Sequence, residues 1–186
     1  KDYTPELIWY VIRSYIKGRG VIENEKIQPL SLENYQKLPK KLRTIKDDVY
    51  KTILKEFYPT YNRYLNDKNY FDDLDLIFEV FKHNAFDKKY SVIFCDEAQD
   101  FTKIEFDLIL NLNIFLEQNI KIDNFDYKNV PIVFAGDPFQ TINPTGFSFE
   151  YLKALVYESY KEKGADLTLN YKELVFNYRS NDDIIK

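Results

Sequence analysis

The sequence predicts an α/β fold, a parallel sheet with flanking helices, preceded by an all-helical segment. Three observations predict it. Val92–Cys95 is a run of four apolar residues, two of them β-branched, as expected of a strand buried on both faces of a parallel sheet. Val130–Ala135 is a second run and Leu174–Phe176 a third. Each run stops at polar groups: Asp96-Glu97, then Gly136-Asp137-Pro138-Phe139-Gln140, then Asn177-Tyr178-Arg179-Ser180. Ligands of open α/β sheets bind just beyond the carboxyl ends of the strands, so chemistry is expected at these three stops. An adjacent carboxylate pair there can hold a metal ion and take a proton from water. A lone Asp-Glu pair is also what an ordinary solvated loop presents.

The helices follow from caps and spacing. Thr4-Pro5 places a hydroxyl at an N-cap and proline at the first helical position. Leu7, Ile8, Val11, Ile12 and Tyr15 then share one face, and Gly18 and Gly20 end the helix. Ser31 caps a short helix through Leu38, stopped by Pro39. A longer helix starts near Lys46, with stripes Val49/Ile53/Phe57 and Tyr50/Leu54/Tyr58. Pro59 must kink or end it, because proline lacks the amide donor and clashes with the preceding turn. Helix resumes with Tyr61, Tyr64 and Leu65, and Asp72 caps another that buries Leu74, Ile77, Phe78 and Phe81. After the first strand, Thr102 and Glu105 form a capping-box pattern, and Ile104, Leu108, Leu112 and Phe115 are expected to face the sheet. Asn119–Asn129 reads as a surface connection. Ser148–Lys161 is a helix with Phe149, Leu152, Leu155 and Val156 on its apolar side, stopped near Gly164. Ser180 with Asp183 caps a last helix.

Composition narrows the class. Hydrophobic residues are 45% of the 186, enough for a true core. The one cysteine, Cys95, rules out a disulfide within the chain and fits a reducing, cytoplasmic setting. No run of 18 apolar residues and no signal-like start is present, so no membrane contact is expected. Methionine is absent, which reads as a piece of a longer chain. Residues 1–68 carry 14 Lys/Arg against 9 Asp/Glu, whereas the whole chain is net −4. The basic front half includes Lys37, Lys40, Lys41, Arg43 and Lys46 within ten residues. Such a cluster is either a solvated surface or a nucleic-acid contact, where each neutralised phosphate releases a counterion.

Asp-Glu-Ala-Gln-Asp (96–100), Gly-Asp-x-x-Gln-x-Ile (136–142) and Asn-Tyr-Arg-Ser (177–180) together resemble motifs II, III and IV of superfamily 1 helicases of the UvrD/Rep type. The clear resemblance covers about residues 90–184. Phe71-Asp72-Asp73-Leu74-Asp75 resembles the segment leading out of these helicases' helical insertion. The resemblance implies a helical insertion over 1–85 and the back part of a RecA-like P-loop NTPase domain over 86–186. It also implies an ATP-dependent motor that moves along single-stranded DNA and separates duplex DNA. A helicase–nuclease subunit of the RecB/AddA type and a helicase-derived DNA-binding scaffold without ATPase activity are the alternatives.

By that resemblance ATP and Mg²⁺ are the cofactors. Asp96 holds Mg²⁺, Glu97 activates the attacking water, and Gln99 links neighbouring motifs. Gln140 senses the γ-phosphate, Arg179 acts on it as an arginine finger, and Tyr178 stacks on adenine. Lys40, Lys41 and Arg43 are candidates for DNA phosphates. Phe147 is a candidate for the base-stacking aromatic, because Ile142 is followed by Asn143 and Pro144 where the family has an aromatic. No Gly-x-x-x-x-Gly-Lys-Ser/Thr occurs in residues 1–186. The phosphate-cradling loop and a second RecA-like domain are therefore expected from the remainder of the parent chain.

Overall fold

The computed structural model describes residues 3–23, 26–114, 132–141, 145–161 and 171–173. The expected third strand at 174–176, the 119–129 connection, the stop at Gly164 and the cap at 180–183 lie outside them.

Helix α1 (Pro5–Val11) starts as its cap dictates, with the Leu7 amide donating to Thr4 Oγ1 at 3.3 Å. It then widens into a π-helical turn over Ile12–Lys17, closed by Gly18, whose N–H donates to Arg13 O at 2.9 Å. All six residues of the turn are buried, Arg13, Ser14 and Lys17 included. The apolar spacing finds Val11, Ile12 and Tyr15 but not the polar three. They are enclosed because later helices pack on this turn from the far side. A short antiparallel pair follows, β1 (Val21–Glu23) with β2 (Lys26–Gln28), which corrects the expectation that this segment is all-helical. Next come α2 (Leu32–Lys37), capped by Ser31 Oγ on the Asn34 amide, and a single 3₁₀ turn at Lys40–Leu42.

The long helix is three consecutive pieces: α3 (Asp47–Thr52), a π-helical turn (Ile53–Phe57) and α4 (Tyr58–Lys68). Pro59 does not end it. The ladder widens just before the proline, with Tyr58 N–H on Ile53 O. A π turn supplies the extra room that a regular helix denies to the proline ring and its missing donor. Asn69, at φ 54°, closes α4 in the left-handed conformation, which asparagine tolerates better than most residues. Helix α5 (Asp73–Lys82) has a complete capping box between Asp72 and Asp75. Of its expected stripe Leu74 is fully buried, while Ile77, Phe78 and Phe81 are half-buried.

Strand β3 (Ile93–Cys95) pairs parallel with β4 (Ile132–Phe134), Phe94 beside Val133. Helices α6 (Lys103–Asn111) and α7 (Phe149–Lys161) complete the described elements. The expectation of a strand buried on both faces is corrected here. Phe94 is 77% and Val133 49% exposed, because among the described residues the parallel sheet has two strands and helices on one side only. The α6 face also differs: Phe106 and Leu110 are the residues buried with the sheet, not Leu108 and Leu112. Phe115 lies outside the described residues. Helix α6 is wedged between two neighbours. Phe106 stands edge-on to Phe134 at 5.5 Å, while the Ile104 amide donates to Gly18 O at 3.0 Å and α5 packs alongside.

Two cores result. The first, under α1–α4, is built on Tyr15, Tyr35 and Tyr50, with Tyr35 and Tyr50 stacked at 3.9 Å and Tyr15 edge-on to both. Buried phenols need acceptors: Tyr50 donates to Leu30 O at 2.7 Å and Tyr15 to Leu42 O at 2.8 Å. Burial pushes the Tyr50 and Tyr15 hydroxyls well above the usual range and Tyr58 up to about 12, so all three remain donors. The second core holds Ala98, Phe106, Leu110, Leu152, Leu155 and Val156, with Ile132 and Phe134 from the sheet.

Ion pairs tie the π turn of the first helix to α5, and one reaches α6. Arg13 meets Asp73 at 2.9 Å and Glu105 at 3.5 Å, and buried Lys17 bridges Asp72 and Asp75. Tyr61 also donates to Asp72 at 2.7 Å. Burial alone would raise the Asp72 carboxyl, but Lys17 and Tyr61 outweigh it and hold the group below its ordinary range.

Candidate functional site

The parallel register determines where the site lies. With Cys95 beside Phe134, the chain leaves both strands at the same end, and Asp96-Glu97 and Gly136-Asp137 emerge together. Backbone bonds lock the two exits: Ala135 N–H donates to Cys95 O and Ala98 N–H to Ala135 O, both at 2.8 Å.

Glu97 sits at φ 51°, ψ 39°, a left-handed conformation that costs an ordinary side chain about 1–2 kcal/mol. Its amide donates to Asp96 Oδ1 at 2.9 Å. The turn that follows, Ala98–Asp100, is 3₁₀ and carries Gln99 inward. Gln99 is 1% exposed and fully employed. Its Nε2 donates to Glu97 Oε2 at 2.7 Å, its Oε1 accepts the Asp137 amide at 3.0 Å, and its carbonyl accepts Thr145 Oγ1 at 2.7 Å. A buried amide with both ends satisfied rigidifies what it joins. Gly136 is the residue that lets it in: a Cβ there would lie 2.5 Å from Gln99 Oε1 and 3.1 Å from Ala98 N.

Asp137 organises the second exit. Its carboxylate accepts from the Phe139 amide at 2.9 Å and from Gln140 Nε2 at 2.8 Å, and its carbonyl accepts the Gln140 amide at 3.0 Å. Asp96, Glu97, Gln99 and Gln140 are therefore gathered at one strand end. Gly136 and Asp137, read from the sequence as part of the second stop though given no role there, belong to the same constellation, as does Thr145, which was not singled out. Thr145 carries no sequence signal beyond lying between that strand end and a capped helix. Cys95, just before the acid pair, is pushed up to about 11 by burial and by the neighbouring Asp96. Such a shift favours the protonated thiol at neutral pH.

The other candidates lie elsewhere. Phe147 is half-buried, its ring 6.1 Å from Phe106 and 5.0 Å from Phe149, inside the second core; Phe139 is the aromatic at the strand end that is 98% exposed. Lys40, Lys41 and Arg43 occupy the loop after α2. Lys40 and Lys41 are exposed, while Arg43 is partly covered and 3.8 Å from Asp47. The loop is pinned from below by Tyr15 on Leu42 O and by Tyr35, which donates to Ile45 O at 2.5 Å. A shallow cavity of about 380 Å³ opens there, lined by Lys40, Arg43 and Lys46 among others. Tyr178 and Arg179 lie outside the described residues.

No group of three or more His, Cys, Asp or Glu among the described residues could hold a metal. One or two carboxylates at a strand end suit a cation that keeps most of its water and takes phosphate oxygens, as Mg²⁺ does, and do not suit an all-protein cage. No helix among the described residues is long and apolar enough to cross a membrane.

Compared with known proteins, residues 13–147 match the model of a family described as UvrD/REP helicase N-terminal domain. No curated protein and no solved structure matches the chain.

Proposed function

The chain belongs to the UvrD/REP helicase family, and from that premise we propose that it carries the water-activating side of an ATP site that drives movement along single-stranded DNA and strand separation. The observation that carries this reading is the joining of the two strand exits by the buried amide of Gln99, which holds Glu97 and the Asp137 amide, with Asp96 bonded to the Glu97 amide and Gln140 to Asp137. ATP hydrolysis needs a metal-held phosphate, an oriented water and positive charge on the γ-phosphate. Bound Mg²⁺ supplies neutralisation of phosphate charge. Asp96 is the residue that holds it. Glu97, fixed by Gln99 yet exposed, orients the attacking water and takes its proton. Gln140, tied to Asp137, lies where a γ-phosphate contact would be felt by the β4 exit. In this reading Arg179 and Tyr178 add the arginine finger and the adenine stack, residues 86–186 form the later part of a RecA-like domain, and residues 1–85 form a helical insertion. It requires a phosphate-binding loop, which residues 1–186 do not contain. Lys40, Lys41 and Arg43 form the DNA-phosphate contact, held out on a loop that two tyrosines keep rigid.

The test is Glu97→Gln in the full-length protein. ATP binding stays within about threefold while kcat falls by about 10² or more, since only the transition state loses its base. Hydrolysis within about threefold of the unsubstituted protein would remove Glu97 from this role.

A further inference from the structure

We infer that Thr145 is a positioning residue for Glu97, acting through Gln99; the inference rests on the reading of Glu97 given above. The Thr145 hydroxyl is buried and makes two contacts. It donates to Gln99 O at 2.7 Å and accepts the Phe147 amide at 3.3 Å. It thus ties the 3₁₀ turn after β3 to the segment that enters α7, across 46 residues of sequence. The tie lies one residue's length from the site, since the same Gln99 holds Glu97 Oε2 through Nε2 and the β4 exit through Oε1.

Among the described residues, Thr145 is the donor that holds the Gln99 carbonyl. Replacing the hydroxyl by a methyl leaves that carbonyl buried without a donor, a state the backbone relaxes away from. The side-chain amide moves with it and leaves the Glu97 carboxylate. Gly146, at φ 66°, turns the chain directly after Thr145. Ala98 N–H is committed to Ala135 O. Thr145 touches no reacting atom, so its effect falls on the orientation of the base and not on nucleotide affinity.

The experiment compares Thr145→Val, Thr145→Ser and Glu97→Gln in the full-length protein by steady-state ATP hydrolysis. Thr145→Val lowers kcat about tenfold with KM for ATP within about twofold, and Thr145→Ser, which keeps the hydroxyl, restores most of the rate. If the valine variant does not fold, Thr145→Cys carries the same comparison, its thiol being a weak donor of similar size. The inference fails if Glu97→Gln abolishes turnover while Thr145→Val turns over normally. It fails equally if serine is as poor as valine, or if KM rises in step with the loss of kcat. Turnover by Glu97→Gln near the unsubstituted rate refutes the reading of Glu97 itself and removes the basis for this one.

Discussion

Glycine and alanine at position 97 should reverse their usual order of stability. At most positions outside the left-handed region glycine is the worse choice, by roughly 0.5–1 kcal/mol, because it loses more backbone freedom on folding. At position 97 φ is 51° and ψ 39°, where a Cβ costs about 1–2 kcal/mol. Both substitutions delete the carboxylate that accepts Gln99 Nε2 at 2.7 Å, so that loss cancels in the comparison. What remains is the conformational cost less the entropy of glycine, and Glu97→Gly should be more stable than Glu97→Ala by about 0.5–1 kcal/mol. Urea unfolding of the two variants, followed by circular dichroism, measures it, and equal m-values would show that the same surface is exposed in both. If alanine is as stable as glycine or better, the backbone at Glu97 is not held left-handed and the geometry assigned to the base is wrong. The glycine variant would also be inactive, so a gain in stability over alanine would accompany a dead site, as expected where strain is kept for function.

Three further outcomes are expected. Gly136→Ala should drive the Gln99 amide from its seat, since the new Cβ lies 2.5 Å from Oε1; a loss of about 1–3 kcal/mol in urea unfolding is expected, and unchanged stability would mean that Gln99 repacks freely. Changing Lys40, Lys41 and Arg43 together to Ala should weaken binding of labelled single-stranded DNA uniformly across sequences and flatten its log–log salt slope by about 2, from roughly 0.7 per phosphate; anisotropy titrations that match the unsubstituted chain would make the loop an ordinary solvated surface. Asp72 is held below its ordinary pKa of 3.8, so its contribution is present above about pH 4 and is lost as pH falls through the folded-state value; Lys17→Met should abolish this acid-side loss, and an unchanged pH–stability curve below pH 5 would count against the Lys17–Asp72 pairing.

Caps and strand ends were legible in the sequence because each is a local rule with a local cause. Thr4, Ser31, Asp72 and Thr102 all cap where their residue types place them, and the acid pair does follow a parallel strand. What could not be read is what depends on the third dimension. Lys17 and Arg13 look like surface cations until α5 brings Asp72, Asp73 and Asp75 onto them. Phe106 lies off the stripe expected for α6 because that helix is gripped from two sides. Two-faced burial of β3 fails for a related reason: an apolar run records a strand's preference, and its neighbours decide whether that preference is met. In the site, Gln99 was legible through its motif and Thr145 was not, since a threonine 46 residues away gains meaning only when a turn folds over the glutamine carbonyl.

The π-helical turn at Ile12–Lys17 has a consequence for the chain's tolerance of length changes. A π turn holds one residue more than the α turn it replaces, so the helix before it and the residues after it are out of phase by about 100°. Across this turn the helix presents Val11 and Tyr15 to the tyrosine core and, from the other side, Arg13 and Lys17 to the acids of α5. Deleting one residue here would leave the hydrogen-bond ladder intact and even more regular. It would nonetheless swing the Lys17 ammonium away from its two carboxylates and bring an apolar side chain against them. The irregular turn acts as an indexing step between the tyrosine core and α5, set by chain length where the other joints are set by side-chain chemistry.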